Sequence, residues 1–232
     1  EIKSLIDRLT VYHYMIVFLV ILHLISAFFY GFGIKALLPV LIAVITTTIL
    51  DLFIEYFKFK KWEFPQSALI SGLFIGGLLT QNLQWHIYVL AGVIAIISKH
   101  VIKIPMKIKD FQGTENQTVV SEFARAHSHS TDFLVNQKHI FNPANLGVLL
   151  VSMIFGASHT WWISSPLILV LIFGIFIIWR LKRFDLTISF LVSYYLINSI
   201  IELSQGTQFS EIYYTILDGG VIYFFSMFML IE

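Results

Sequence analysis

The chain has 232 residues, of which 57% are hydrophobic and only 12% charged, with a mean hydropathy of +0.82. A soluble domain of this size could not bury so much apolar surface, so the composition excludes that class and implies an integral membrane protein. There is no cysteine, which excludes disulfides, thiolate zinc sites and Cys-ligated iron–sulfur clusters within the chain; the net charge of +1 matters less than where the charges fall between helices.

Apolar runs long enough to cross ~30 Å of hydrocarbon lie at 11–31, 34–57, 66–81, 85–102, 144–159, 164–181, 185–203 and 212–231. They predict an all-α membrane protein of about eight transmembrane helices. The third and fifth runs are short, and tilted or broken helices are expected there. Breaks fall at Gly31-Phe32-Gly33, Lys58-Phe59-Lys60-Lys61, Gln81-Asn82-Leu83-Gln84, the long stretch 103–141, Trp161-Trp162, Arg180 to Arg183, and Gln205-Gly206-Thr207. The 22 Phe, 10 Tyr and 5 Trp are of the kind that fills helix interfaces and anchors helix ends at the headgroups. On this eight-helix reading the Lys and Arg residues gather on alternate connections, with Lys35 alone on the other side, which places the N-terminus in the cytoplasm of a multi-pass cell-membrane protein. A single transmembrane domain over 1–232 is expected, with a first half at 11–159 and a partial second half at 164–232. No cleavable secretory signal is visible. The chain begins with Glu1 and stops at Glu232 straight after the apolar run Val221 to Ile231, so further residues at one or both ends are expected.

The segment 103–141 is the sizeable polar loop, cytoplasmic on this topology. It holds His127-Ser128-His129, whose i, i+2 spacing could clamp a metal in an extended segment, with Asp132 and His139 as candidates to complete the site. A solvated loop, or one that docks a partner subunit, is the competing reading. Asn116-Gln117-Thr118 is formally a glycosylation sequon, which the cytoplasmic placement would leave unused.

Beyond the loop, Asn142-Pro143 stands where a membrane helix should begin. Proline in a first turn costs no hydrogen bond, and Asn142 is a natural N-cap. A helix starting at membrane depth turns free amides and partial positive charge toward its surroundings, which suits an anion, a carbonyl or a flavin ring; a plain interfacial cap explains the same residues.

Polar groups inside apolar runs are costly and mark sites. Asp51 and Glu55, spaced i, i+4, share a helix face below Thr46, Thr47 and Thr48. The pair could bind a cation or relay protons, or it could pair with Lys58, Lys99 or His100. On the opposite side Asn198, Glu202 and Asp218, the last standing before Gly219-Gly220, form a second polar set; a plain helix end explains either set equally, Asp218 above all. His13 and His23 read as packed or interfacial. Gly72 and Gly76 give the small-xxx-small spacing of closely approaching helices.

Three blocks carry a family resemblance: Ser67-Ala68-Leu69-Ile70-Ser71-Gly72 with its continuation to Leu78, Ala95-Ile96-Ile97-Ser98-Lys99-His100, and His139-Ile140-Phe141-Asn142-Pro143-Ala144-Asn145. Over roughly 60–232 the chain resembles the D subunit of Rnf electron-transport complexes and the related B subunit of sodium-pumping NADH:quinone oxidoreductases. The resemblance implies an inverted-repeat helical bundle similar to urea transporters, with partner membrane and redox subunits. It implies cofactor-binding roles for Asn142, Pro143, Asn145, Ser67, Ser71, Gly72, Lys99 and His100; the ion path through Asp51, Glu55 and Asp218 is read separately, from the cost of carboxylates within apolar runs. About two further helices after Glu232 would complete the family's second half. Classical members attach flavin mononucleotide covalently to a threonine in a Ser-Gly-Ala-Thr-like motif. No such motif stands between His159 and Leu167, and Thr131 lacks the glycine, so covalent FMN is not expected and non-covalent FMN or riboflavin is the cofactor expectation.

Three function classes follow: a non-autonomous membrane subunit of a redox-driven, ion-translocating complex; a transporter or channel for a small solute or ion; and a non-catalytic structural subunit. A phosphate-cradling glycine loop, a serine nucleophile motif and a basic face for nucleic acid are all missing from the sequence.

Overall fold

Each long apolar run contributes a helix among the described residues, several of them ending at a glycine or a charged turn. The computed structural model describes residues 10–60, 62, 64–106, 136–139, 142–207 and 219–230. In chain order the helices are α1 (Val11–Phe29), α2 (Leu37–Phe59), α3 (Gln66–Leu78), α4 (Trp85–Val101), α5 (Pro143–Phe155), α6 (Leu167–Leu181), α7 (Phe184–Ser204) and α8 (Gly220–Phe224), which continues as a π-helical turn Phe225–Met229. Three stretches, Val11–Phe29, Ile34–Lys58 and Phe184–Ser204, are long and apolar enough to cross a membrane, and the other helices are shorter but equally apolar. The fold is thus an all-α membrane protein. One small departure from a bare loop occurs at 103–141, whose two ends pair as antiparallel strands β1 (Lys103–Met106) and β2 (Asn136–His139), in a register that sets Lys103 opposite His139.

The centre of the bundle is α3. An amphipathic helix would leave one face outside, but here Ala68 and every residue from Ile70 to Leu78 are buried, so the whole circumference meets protein. Close approach makes this possible. A Cβ on Gly72 would lie 2.6 Å from the Val44 Cα, and one on Gly76 would lie 2.6 Å from the Val40 Cα, so α3 runs antiparallel to α2 almost backbone to backbone. Gly147 sets α5 against α4 in the same way, its would-be Cβ falling 2.4 Å from the Ala91 carbonyl oxygen. Aromatic rings join α1 to α6: Phe18 stacks on Phe173 at 4.3 Å and Tyr14 meets Phe176 edge-on at 5.2 Å, which makes that pair antiparallel too. From α8, Phe224 lies edge-on to Phe74 of α3 at 5.8 Å.

Outward faces are apolar. On α2, Leu38, Leu41, Ile45, Ile49, Phe53 and Phe57 form an exposed stripe at helical spacing. In α7 the buried residue is Thr187, whose hydroxyl donates to the Ser226 carbonyl at 3.4 Å. Lipid is the solvent that makes such faces inexpensive.

Candidate functional site

Two short helices define the interior. With 13 residues each, α3 and α5 reach ~20 Å, well short of a bilayer core. Both are antiparallel to a full neighbour, α3 to α2 and α5 to α4, and α2 runs parallel to α4, so α3 and α5 point the same way. Where they stop, the chain continues extended, and the two extended pieces hydrogen-bond to each other. Leu79 bridges His159, Thr80 N–H donates to the Ser158 carbonyl at 3.1 Å, and the N–H groups of Thr160 and Trp161 donate to the Leu78 carbonyl at 3.0 and 3.2 Å. The Trp162 indole donates to the Gly76 carbonyl at 2.9 Å, and the Tyr88 hydroxyl donates to the Thr80 carbonyl. The last carbonyls of α3, orphaned by the helix end, are therefore satisfied within protein, as irregular backbone at membrane depth requires. His23, buried on α1, closes this knot: its Nδ1–H donates to the Leu19 carbonyl at 2.7 Å and its ring stands edge-on to Trp162 at 5.1 Å.

At the other end of the two short helices lies a charged cluster. Asp51 of α2 is fully buried, and its carboxylate accepts from Lys99 Nζ at 2.7 Å and from His100 Nε2 at 2.6 Å, both on α4. Two donors from one neighbouring helix compensate a charge that would otherwise be untenable away from water. The other ring nitrogen of His100, Nδ1, is buried without a partner. Glu55 is half-buried one turn further along α2. Above Asp51, Thr47 returns its hydroxyl to the Ala43 carbonyl at 3.0 Å and touches the space over Gly72.

The start of α5 is capped as the Asn-Pro step predicts. The Asn142 Oδ1 accepts from Asn145 N–H at 3.3 Å, and its Nδ2 donates to the Met229 carbonyl at 3.3 Å, tying α5 to the π-helical end of α8. Pro143 is buried in the first turn. Ser71 donates to the Ser67 carbonyl at 3.0 Å. Asn198 Nδ2 donates to Glu202 Oε1 at 3.0 Å within α7.

The structure brings Asp51, Lys99 and His100 together, sets Gly72 against the same face of α2, and places Asn142, Pro143 and Asn145 on the helix that packs on α4. Asp218, His127, His129, Asp132 and Thr131 lie outside the described residues, and among those described no cluster of three His, Asp or Glu side chains could hold a metal ion. A flavin would need free donors around an open face. The polar atoms at Asn142, Ser71, Lys99 and His100 are instead largely turned onto the chain itself, so this set alone does not fit that group. Sequence reasoning missed Trp162 and Tyr88, whose donations secure the break after α3. The Trp161-Trp162 pair was a visible signal, read there as a boundary between spans.

These features define a helical membrane protein built around a pair of broken helices and a buried carboxylate. The model of the NQR2, RnfD, RnfE family matches residues 6–102, a stretch containing α1 to α4, Asp51 and two of the three resembling blocks; the family resemblance read from the sequence holds there. The Asn-Pro-Ala block lies beyond the match, so the shared segment starts earlier and ends sooner than the 60–232 expected. Comparison with curated proteins and with solved structures found no match for this chain.

Proposed function

We propose that the chain is a non-autonomous, multi-pass subunit of an Rnf- or Nqr-like redox complex in the cell membrane, with its N-terminus in the cytoplasm, and that it supplies part of an ion path rather than a catalytic centre. The observation that carries this reading is the buried Asp51, held by Lys99 and His100 inside the family-matched segment. A carboxylate compensated by one lysine and one imidazole can exchange either partner for a cation or proton without leaving its charge exposed to hydrocarbon. Thr47 and Glu55 extend the polar face of α2 to either side; Asp218, assigned to the ion path from sequence, lies outside the described residues. A flavin, FMN or riboflavin, enters only as a non-covalent group shared with other subunits.

Two helices that break side by side inside the bundle favour a second reading, a transporter or channel for a small solute or ion on an inverted-repeat scaffold. The test that separates the two is purification of the full-length protein under mild detergent, followed by spectra before and after acid precipitation. Co-purifying redox subunits with acid-releasable flavin support the first reading. A colourless protein that conducts solute alone in proteoliposomes supports the second. Flavin retained in the acid pellet would overturn the non-covalent assignment.

A further inference from the structure

Where α6 turns into α7, Trp179, Arg180, Lys182 and Phe184 line a concave surface at the end of the apolar helix. The aromatic pair is exposed although nothing polar covers it, Trp179 by 63% and Phe184 by 42%. Arg180, Lys182 and the exposed Arg183 make no hydrogen bond or ion pair through their side chains to any described residue, and Asp185 in the first turn of α7 leaves the corner with two net positive charges. Contrast the end of α2, where the ammonium of Lys60 is already engaged, lying 5.3 Å from the Tyr56 ring centroid. The α6 corner is thus charged, concave, rimmed by exposed aromatics and unoccupied by any other described residue.

The backbone adds a second observation. Helix α6 ends in a Schellman arrangement, Arg183 N–H donating to the Ile178 carbonyl at 3.2 Å and Lys182 N–H to the Trp179 carbonyl at 3.3 Å. This puts Lys182 in the left-handed region at φ 53°, where glycine is the residue without steric cost. A lysine thus stands where the backbone favours glycine.

We infer that this corner binds the phosphate headgroup of an anionic phospholipid, with Arg180 and Lys182 on the phosphate and Trp179 and Phe184 along the glycerol and upper acyl region. Charge complementarity selects an anionic lipid over a zwitterionic one, and the exposed rings match the level of the headgroups. The inference rests on membrane embedding alone and stands whether or not the chain serves a redox complex.

The test is native mass spectrometry of the full-length protein in neutral detergent, titrated with phosphatidylglycerol or phosphatidylcholine of identical acyl chains. The natural protein is expected to prefer phosphatidylglycerol by tenfold or more, since each interfacial cation contributes about fivefold. Lys182→Gly is expected to keep or raise the melting temperature, by removing the left-handed side chain, while lowering phosphatidylglycerol affinity about fivefold. Lys182→Gly with Arg180→Gln should abolish most of the preference. Equal affinity for the two lipids, or unchanged lipid preference in the variants, overturns the inference. Displacement of the lipid by millimolar glycerol phosphate would assign a free-anion site instead. Loss of a co-purifying acidic protein from Lys182→Gly with lipid preference intact would assign a protein contact.

Discussion

Asp51 holds its place through two donors on the same neighbouring helix, so each side chain of the cluster depends on the others. Asp51→Asn keeps the size but strands the charge of Lys99, and a loss of about 3 kcal/mol is expected, read as a lower melting temperature in detergent. Replacing the pair together, Asp51→Leu with Lys99→Met, should recover most of that loss while removing any ion-coupled activity of the assembled complex. Gly72 tolerates no side chain for a different reason. Its added methyl would sit 2.5 Å from Thr47 Oγ1 and 2.6 Å from the Val44 Cα, so Gly72→Ala must push α3 off α2, at a cost of about 1–3 kcal/mol in a denaturant or thermal assay. The glycine spacing was legible in the sequence because close packing leaves a local pattern. The partners of Asp51 were readable only as a choice among Lys58, Lys99 and His100, since α4 lies some fifty residues away in the chain, as the separation of 48 between Lys99 and Asp51 makes plain.

At the scale of the element, the difference between long and short helices decides the architecture. Hydropathy located α1, α2 and α7 to within three residues at each end, because lipid-facing helices stay apolar until a charged or glycine-rich turn. It overran α3 and α5 by about one turn each. Leu79 and Thr80, and Gly156 to His159, carry no charge to end a span, and what ends the helices is pairing between two segments far apart in sequence. Likewise the pairing of β1 with β2 joins the ends of a segment whose composition read as loop. The non-local bonds are testable singly. Trp162→Phe removes the donation to the Gly76 carbonyl and keeps the ring, and about 1–2 kcal/mol of destabilisation is expected from a buried carbonyl left unpaired. At the opposite end of the short helices, Asn142→Ala should cost about 1 kcal/mol through the lost cap, and should also loosen the C-terminal turn of α8, whose Met229 carbonyl it holds. Hydrogen exchange across 225–230 reads that second effect separately from the first.

For the whole molecule the clearest expectation concerns orientation. Among the described residues the cations crowd one end of the bundle and Lys35 stands in the turn at the other. Because these 232 residues contain no cysteine, one thiol introduced among them reports without background from them. Lys35→Cys should react with a membrane-impermeant maleimide on intact cells, and Lys60→Cys only after the membrane is opened; the reverse pattern would invert the topology.

The knot joining α3 to the Ser158–Trp162 stretch also constrains the order of biogenesis. Trp162 follows Gly76 by 86 residues, so a ribosome must add that much chain before the donors for the end of α3 exist. Until then the carbonyls of Gly76 and Leu78 face hydrocarbon unpaired, at several kcal/mol each. The nascent third helix is therefore unstable as an isolated insertion and stays at the shelter of the insertion machinery or of α1 and α2 until the later segment arrives. A ribosome-stalled chain ending at Phe155 should leave α3 open to modification from the aqueous side, and one extended past Trp162 by the length of the exit tunnel should close it.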